Sequence, residues 1–264
     1  MAPSADGATA GVPDDAKGLS RPDHTPGTRV KDMRTSPRRL GLLGGITWHS
    51  TLVYERLLHQ GVAAAIPDRT ADLVIRHYDF GDVGQSQHAG DWVGLARTFA
   101  ADAKWLVAGG AEAIIICANT MHVAASSVQA AVDVPVIHMI DETAKAIKAQ
   151  GLDTVALLGT GFTMRMPFYR ERMAANGVTV LVPEEPELEQ VHQLIYSKLT
   201  HGIVDDEGRD LVRDATARLV ERGAQGVIAG CTEIPMVLTA DDIDIPYFDS
   251  LEIHAEAALQ FCLT

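Results

Sequence analysis

The sequence predicts an α/β fold of two pseudo-symmetric halves. Each is a three-layer αβα domain with a mainly parallel sheet, and the active site lies in the cleft between them. Three observations lead there. Short apolar runs closed by glycine or polar turns alternate with longer amphipathic stretches, the pattern of βαβ units. The pattern occurs twice: GLLGGIT (41–47) matches LLGTGFT (157–163), GAEAIIICANT (110–120) matches GAQGVIAGCTE (223–233), and DVPVIHMIDE (133–142) matches DIPYFDSLEI (244–253). Such self-similarity marks a repeated architecture. Finally, the run Val227-Ile228-Ala229 stops at Gly230-Cys231, which puts a thiol at the carboxyl end of a strand, where open α/β sheets hold their ligands.

Each element has its own warrant. Residues 39–46 read as the first strand, ending in Gly44-Gly45, where a tight turn lets backbone approach a ligand. A helix follows to about Gln60, then a turn at 66–70 and a strand over 71–79. A helix over 91–109 carries the apolar stripe Trp92, Leu95, Phe99 and Leu106, which is core. A strand over 113–117, a helix over 121–132, a short strand over 134–137 and a helix over 141–150 complete the first copy. The second has strands at 154–158, 178–182, 227–229 and 245–248, with helices over 168–176, 205–222 and 251–261. Residues 1–36 are rich in Pro, Gly, Ser, Thr, Asp and Ala; they bury too little to offset their ordering entropy and are expected to be a disordered tail.

Composition narrows the function classes. The chain has 264 residues and 47% hydrophobic content, enough for a substantial core. A net charge of −13 argues against nucleic acid or an anionic membrane as partner. No apolar run reaches transmembrane length. Arg38-Arg39 before LGLLGGI superficially looks like a twin-arginine export signal, but the apolar stretch ends at Thr47-Trp48-His49 with no small-residue cleavage site, so a buried strand is expected. Three cysteines make no disulfide framework and point to a reducing, cytoplasmic setting and thiol chemistry.

Two similar strand ends facing one ligand suit stereoinversion: one group removes an α-proton and the other returns a proton to the opposite face. The motifs GLLGGITWHST, IPDRTA, CANTMH, LLGTGFTM and GCTEIPM, in that order over about residues 38–262, resemble the cofactor-independent aspartate/glutamate racemase superfamily. That resemblance implies a cofactor-independent amino-acid racemase or epimerase acting on aspartate, glutamate or a related amino acid. It implies paired catalytic cysteines, no pyridoxal phosphate, no metal and a homodimer. It also implies that the last helix returns to the first domain, so that 37–140 with 248–264 form one domain and 141–247 the other. Cys231, in the GCTE context, is the expected catalytic thiol, with Cys117 as its partner. Asn119, Thr120, Thr160 and Thr232 are expected to hold the substrate, Arg69 of IPDRT to clamp a side-chain carboxylate, and Glu233 and His122 to orient the site from behind.

One departure matters. The family places its first cysteine immediately before the asparagine, where this chain has Ala118; the internal repeat likewise aligns Ala118, not Cys117, with Cys231. Strand side chains alternate faces, so a one-residue offset aims Cys117 away from the cleft as a buried structural thiol. A bulge at the strand end would re-aim it. Two alternatives follow for function. Arylmalonate decarboxylases of the same superfamily pair one cysteine with a small residue, as Cys231 and Ala118 do here. A carboxylate-binding protein that has lost a base is the other. Trp48 and His49 stand where the family is more often polar or acidic, which bears on substrate preference.

Overall fold

The computed structural model describes residues 35–264. The expected disordered tail, residues 1–36, lies outside the described residues apart from its last two positions. Seven strands are present among the described residues: β1 (Arg39–Gly44), β2 (Asp72–His77), β3 (Ala113–Ile116), β4 (Thr154–Leu158), β5 (Thr179–Leu181), β6 (Val227–Ala229) and β7 (Tyr247–Asp249). They form two all-parallel sheets, ordered β2-β1-β3 and β5-β4-β6-β7. The orders repeat each other: β1, β2 and β3 occupy the places of β4, β5 and β6. The expected strand over 134–137 is reduced to a single parallel bridge, Ile114 with Val136. Ile114 N–H donates to Pro135 O and Ile137 N–H to Ile114 O, both at 2.9 Å. This segment is the sheet's edge, and Pro135 has no N–H to extend the ladder.

Ten α-helices are present among the described residues: α1 (Trp48–Ala65), α2 (Phe80–His88), α3 (Trp92–Ala108), α4 (Ala125–Ala131), α5 (Met139–Ala149), α6 (Gly161–Arg165), α7 (Pro167–Ala175), α8 (Glu187–Ser197), α9 (Asp206–Glu221) and α10 (Ser250–Leu263). Arg38-Arg39 and the run after them lead directly into β1, as the strand reading expects. No described helix is long and apolar enough to cross a membrane. The helix expected over 121–132 opens as a 3-10 turn, Thr120–Ala124, before α4.

Alternation along the strands builds the layers. Leu40, Leu42, Ala113 and Ile115 face Tyr54, Leu58 and Val62 of α1 and Leu251, Ala255 and Ala258 of α10. Leu43, Ile114 and Ile116 face Leu95, Phe99 and Leu106 of α3 and Val128 of α4. The second sheet has its own core, in which Leu157, Val227 and Ile228 meet Ile147, Met173, Val191 and Leu219. Fully burying one such side chain contributes about 1.5–3 kcal/mol. The final helix thus packs on the first sheet: Arg38 N–H donates to Cys262 O at 2.9 Å, and a Cβ at Gly61 of α1 would collide with Leu259 of α10.

Candidate active site

All the strands of each sheet run the same way, so their carboxyl ends gather at one edge. A cleft opens there. Its lining includes Thr47 and Ser50 beyond β1, Cys117 to Thr120 beyond β3, Thr160 beyond β4 and Gly230 to Glu233 beyond β6. Local backbone brings these groups in. Gly45 has φ +81 and sits so tightly that a Cβ would strike Tyr78 backbone; its N–H donates to Thr51 Oγ1 at 2.8 Å, turning the chain from β1 into α1. At β6, a Cβ on Gly230 would lie 2.6 Å from Leu157 Cδ1 and 3.0 Å from Leu158 O, so a larger residue there would displace its neighbours.

Cys231 is partly buried, and its Sγ lies 2.8 Å from Glu233 Oε2. Burial first, then the charge and hydrogen bond of Glu233, push the thiol pKa well up, so the sulfur carries its proton at neutral pH. Glu233 is itself 5% exposed. Its Oε2 also accepts from Thr232 Oγ1 at 2.9 Å. That bond sets a direction for the neighbouring hydroxyls. Thr232 donates to the carboxylate and so accepts from Ser50 at 2.9 Å, and Ser50 accepts from Thr47 at 2.8 Å.

Asn119 ends β3 differently. Its Nδ2 donates to Ser250 Oγ at 3.0 Å, and Ser250 donates to Ala229 O at 2.7 Å, tying the end of β3 to β6. Asn119 Oδ1 is buried without a hydrogen-bond partner, an acceptor aimed at nothing in the protein. Thr120 Oγ1 lies 2.8 Å from Thr163 Oγ1 and 3.1 Å from Thr160 Oγ1, a buried hydroxyl triad between the two sheets.

Cys117 keeps the alternation of β3. The ladder with β1 runs regularly to Leu43–Ile116, and Cys117 N–H continues it to Leu43 O at 2.9 Å, so no bulge precedes the thiol. Its side chain is 2% exposed and sits on the α1–α10 face with Tyr54 and Met139. Ala118 packs on the opposite, α3 face. Both nevertheless contribute to the cleft lining. Burial pushes the Cys117 pKa far up, so this thiol too is protonated.

One expected site residue stands away from the cleft lining: Arg69 lies exposed after α1. His122 is saturated by backbone: its Nδ1–H donates to Ala118 O at 2.9 Å and its Nε2 accepts from Met139 N–H at 3.1 Å. It fixes the end of β3 from behind and lines a separate groove with His138 and Arg172. Unforeseen contributors are Phe80 and Gln87 of α2 and Ile195 and Tyr196 of α8, which form the remaining wall. For α8 a signal existed, since Leu188, Val191, Leu194 and Ile195 recur at helical spacing. For α2 the two glycines hide it; Asp79 caps that helix by accepting from Gly81 N–H.

A thiol beside a buried carboxylate at a strand end, facing amide and hydroxyl groups, is an arrangement that can move a proton on and off a small polar molecule. Residues 43–258 match the family model described as Asp/Glu/hydantoin racemase, and the chain belongs to that family. It is similar to the crystal structure of a candidate Asp/Glu racemase from Yersinia pestis, at 39% identity and TM-score 0.82 over 86% of this chain and 100% of that one. An aspartate racemase homologue from Pyrococcus horikoshii OT3 matches at 31% identity and TM-score 0.74, over 85% of this chain and 99% of that one. The broad specificity amino-acid racemase RacX of Bacillus subtilis is 27% identical over 150 residues, 57% of this chain and 64% of RacX.

Proposed function

We propose that the chain is a cofactor-independent amino-acid racemase or epimerase. Cys231 acts on one face of the substrate α-carbon, and Cys117, the other thiol in the cleft lining, acts on the opposite face. The observation that carries this reading is the 2.8 Å contact between Cys231 Sγ and the buried Glu233 carboxylate, at a strand end whose repeat partner also borders the cleft. Glu233 accepts the thiol proton, and the thiolate removes the α-proton. Cys117, protonated, supplies a proton to the other face, and the roles exchange for the reverse enantiomer. The Asn119 Oδ1 acceptor suits the α-ammonium group. Thr120 and Thr160 suit the α-carboxylate, where neutral donors stabilise the negative charge that develops as the α-proton leaves. Family membership and the likeness to the Yersinia pestis and RacX proteins support the same reaction type. Aspartate, glutamate and related amino acids define the first substrates to test. Chiral chromatography after incubating single enantiomers without added cofactor is the test: inversion is expected, and its absence with every amino acid tried would refute the reading.

One observation favours a second reading. Ala118 holds the repeat position of Cys231, while Cys117 packs among core residues. A single thiol would then deliver its proton to the enolate left when a malonate-type diacid loses CO₂, and regain it from solvent. Carbon dioxide release from an arylmalonate without amino-acid inversion would establish that reading instead. Binding of amino acids with neither reaction would mark a non-catalytic carboxylate-binding protein.

A further inference from the structure

We infer that the substrate side chain is uncharged and mainly apolar, not a second carboxylate; this rests on the racemase reading above. Among the described residues, the cleft lining contains no Lys, Arg or His. Two cations close to it along the chain, Lys198 and Arg165, are engaged elsewhere. Lys198, between the lining residues Tyr196 and Thr200, pairs with Asp205 at 2.8 Å and Glu207 at 3.1 Å. Arg165 pairs with Glu185 at 2.8 Å and Glu189 at 2.5 Å.

Neutral donors could replace a cation, but most are committed. The protons of Thr47, Ser50 and Thr232 run in sequence toward Glu233. Tyr54 donates to His254 Nδ1 at 2.8 Å, because His254 Nε2 is used on Ile137 O. Thr200 donates to Tyr196 O at 2.9 Å, and Asn119 Nδ2 to Ser250. Among the lining side chains this leaves one amide hydrogen of Gln87 and the Tyr196 phenol, beside the Thr120 and Thr160 hydroxyls, which bond each other and Thr163 and which the α-carboxylate needs. Glu233 adds a negative charge that a second carboxylate would have to face. Removing a carboxylate from water without a partner is strongly unfavourable.

The rest of the wall suits an apolar group. Phe80, Met139, Ile195, Tyr196 and Leu251 border the cleft. Tyr196 is held edge-on by His192 and His88, with ring centroids 4.7 and 5.8 Å away. Each imidazole spends its Nδ1 on backbone: His192 Nδ1 accepts from Gly161 N–H, and His88 Nδ1 donates to Gly84 O.

The experiment is racemisation kinetics with both enantiomers of methionine, leucine, phenylalanine, aspartate and glutamate, for the parent and for Phe80→Arg. Phe80 is 37% exposed at the rim, so the substitution adds a cation at little cost to the fold, which a thermal melt checks. The parent is expected to favour the best neutral substrate over either acidic one by about tenfold or more in kcat/KM, the scale on which apolar pockets discriminate. Phe80→Arg should shift that ratio toward the acidic pair by about tenfold. Faster turnover of aspartate or glutamate by the parent overturns the inference while leaving the racemase reading intact. No turnover of any of the ten overturns both.

Discussion

At the end of β6 the chain runs Gly230-Cys231-Thr232-Glu233; at the matching end of β3 it runs Cys117-Ala118-Asn119-Thr120. The backbones are equivalent, each strand lying beside the first strand of its half. The side chains divide the work. The β6 end carries a thiol on a buried carboxylate, and a relay of hydroxyls from α1 supports that carboxylate. The β3 end carries an unpartnered amide oxygen and a hydroxyl triad. On the racemase reading, one half of the pseudo-symmetric cleft serves proton transfer and the other recognition. The residue that blurs the division is Cys117, which borders the cleft from the wrong side of its strand.

Substitutions at the two ends should separate these roles. Cys231→Ala removes the acid–base group, and turnover should fall by about 10³-fold, near the middle of the range for such groups. Glu233→Gln should cost about 10²-fold, since the thiol loses its proton acceptor. It should also lower the Cys231 pKa, because the carboxylate charge holds it up; thiolate ultraviolet absorbance against pH reads this directly, and an unchanged titration would separate the pair. Cys117→Ser sharpens the comparison most. A drop of about 10²-fold in inversion places Cys117 on the second face, whereas a change within about threefold assigns it to the core.

The smallest effect on activity is expected far behind the strand ends. His254 joins Tyr54 of α1 to Ile137 O, and burial lowers its pKa from 6.5 to about 4. Its folded-state pKa is depressed, so the unfolded chain binds the extra proton as pH falls. The stability it confers is complete above pH 6.5 and is lost on descending toward pH 4. For this fully buried ring the loss is about 3 kcal/mol. Burial also depresses His122 and His138, adding to the same slope. Denaturant titrations between pH 4 and pH 7 should show a shallower slope in His254→Gln than in the parent, and equal slopes would contradict this assignment.

The catalytic edge was more legible in the sequence than the wall facing it. Apolar runs closed by glycine marked β4 and β6 to the residue, because a strand buried on both faces leaves no polar position to confuse its ends. The repeat located Cys231, Asn119 and Thr120 together. Helices α2 and α8 escaped: α2 is glycine-containing and mostly polar, and the period in α8 follows an acidic, proline-bearing loop. They carry the Phe80, Gln87, Ile195 and Tyr196 side chains of the cleft wall, so that wall could not be read from the sequence. Arg69 shows the limit of adjacency: it sits inside a telling motif, yet faces solvent.

The most direct test of the central claim, that the β6 end moves the α-proton, is α-proton exchange in D₂O followed by NMR. Parent, Cys231→Ala and Glu233→Gln would be compared on single enantiomers of methionine and aspartate without cofactor. Exchange with inversion is expected in the parent, none detectable in Cys231→Ala and slowed exchange in Glu233→Gln. Undiminished exchange in Cys231→Ala would contradict the claim and move the chemistry away from the β6 end.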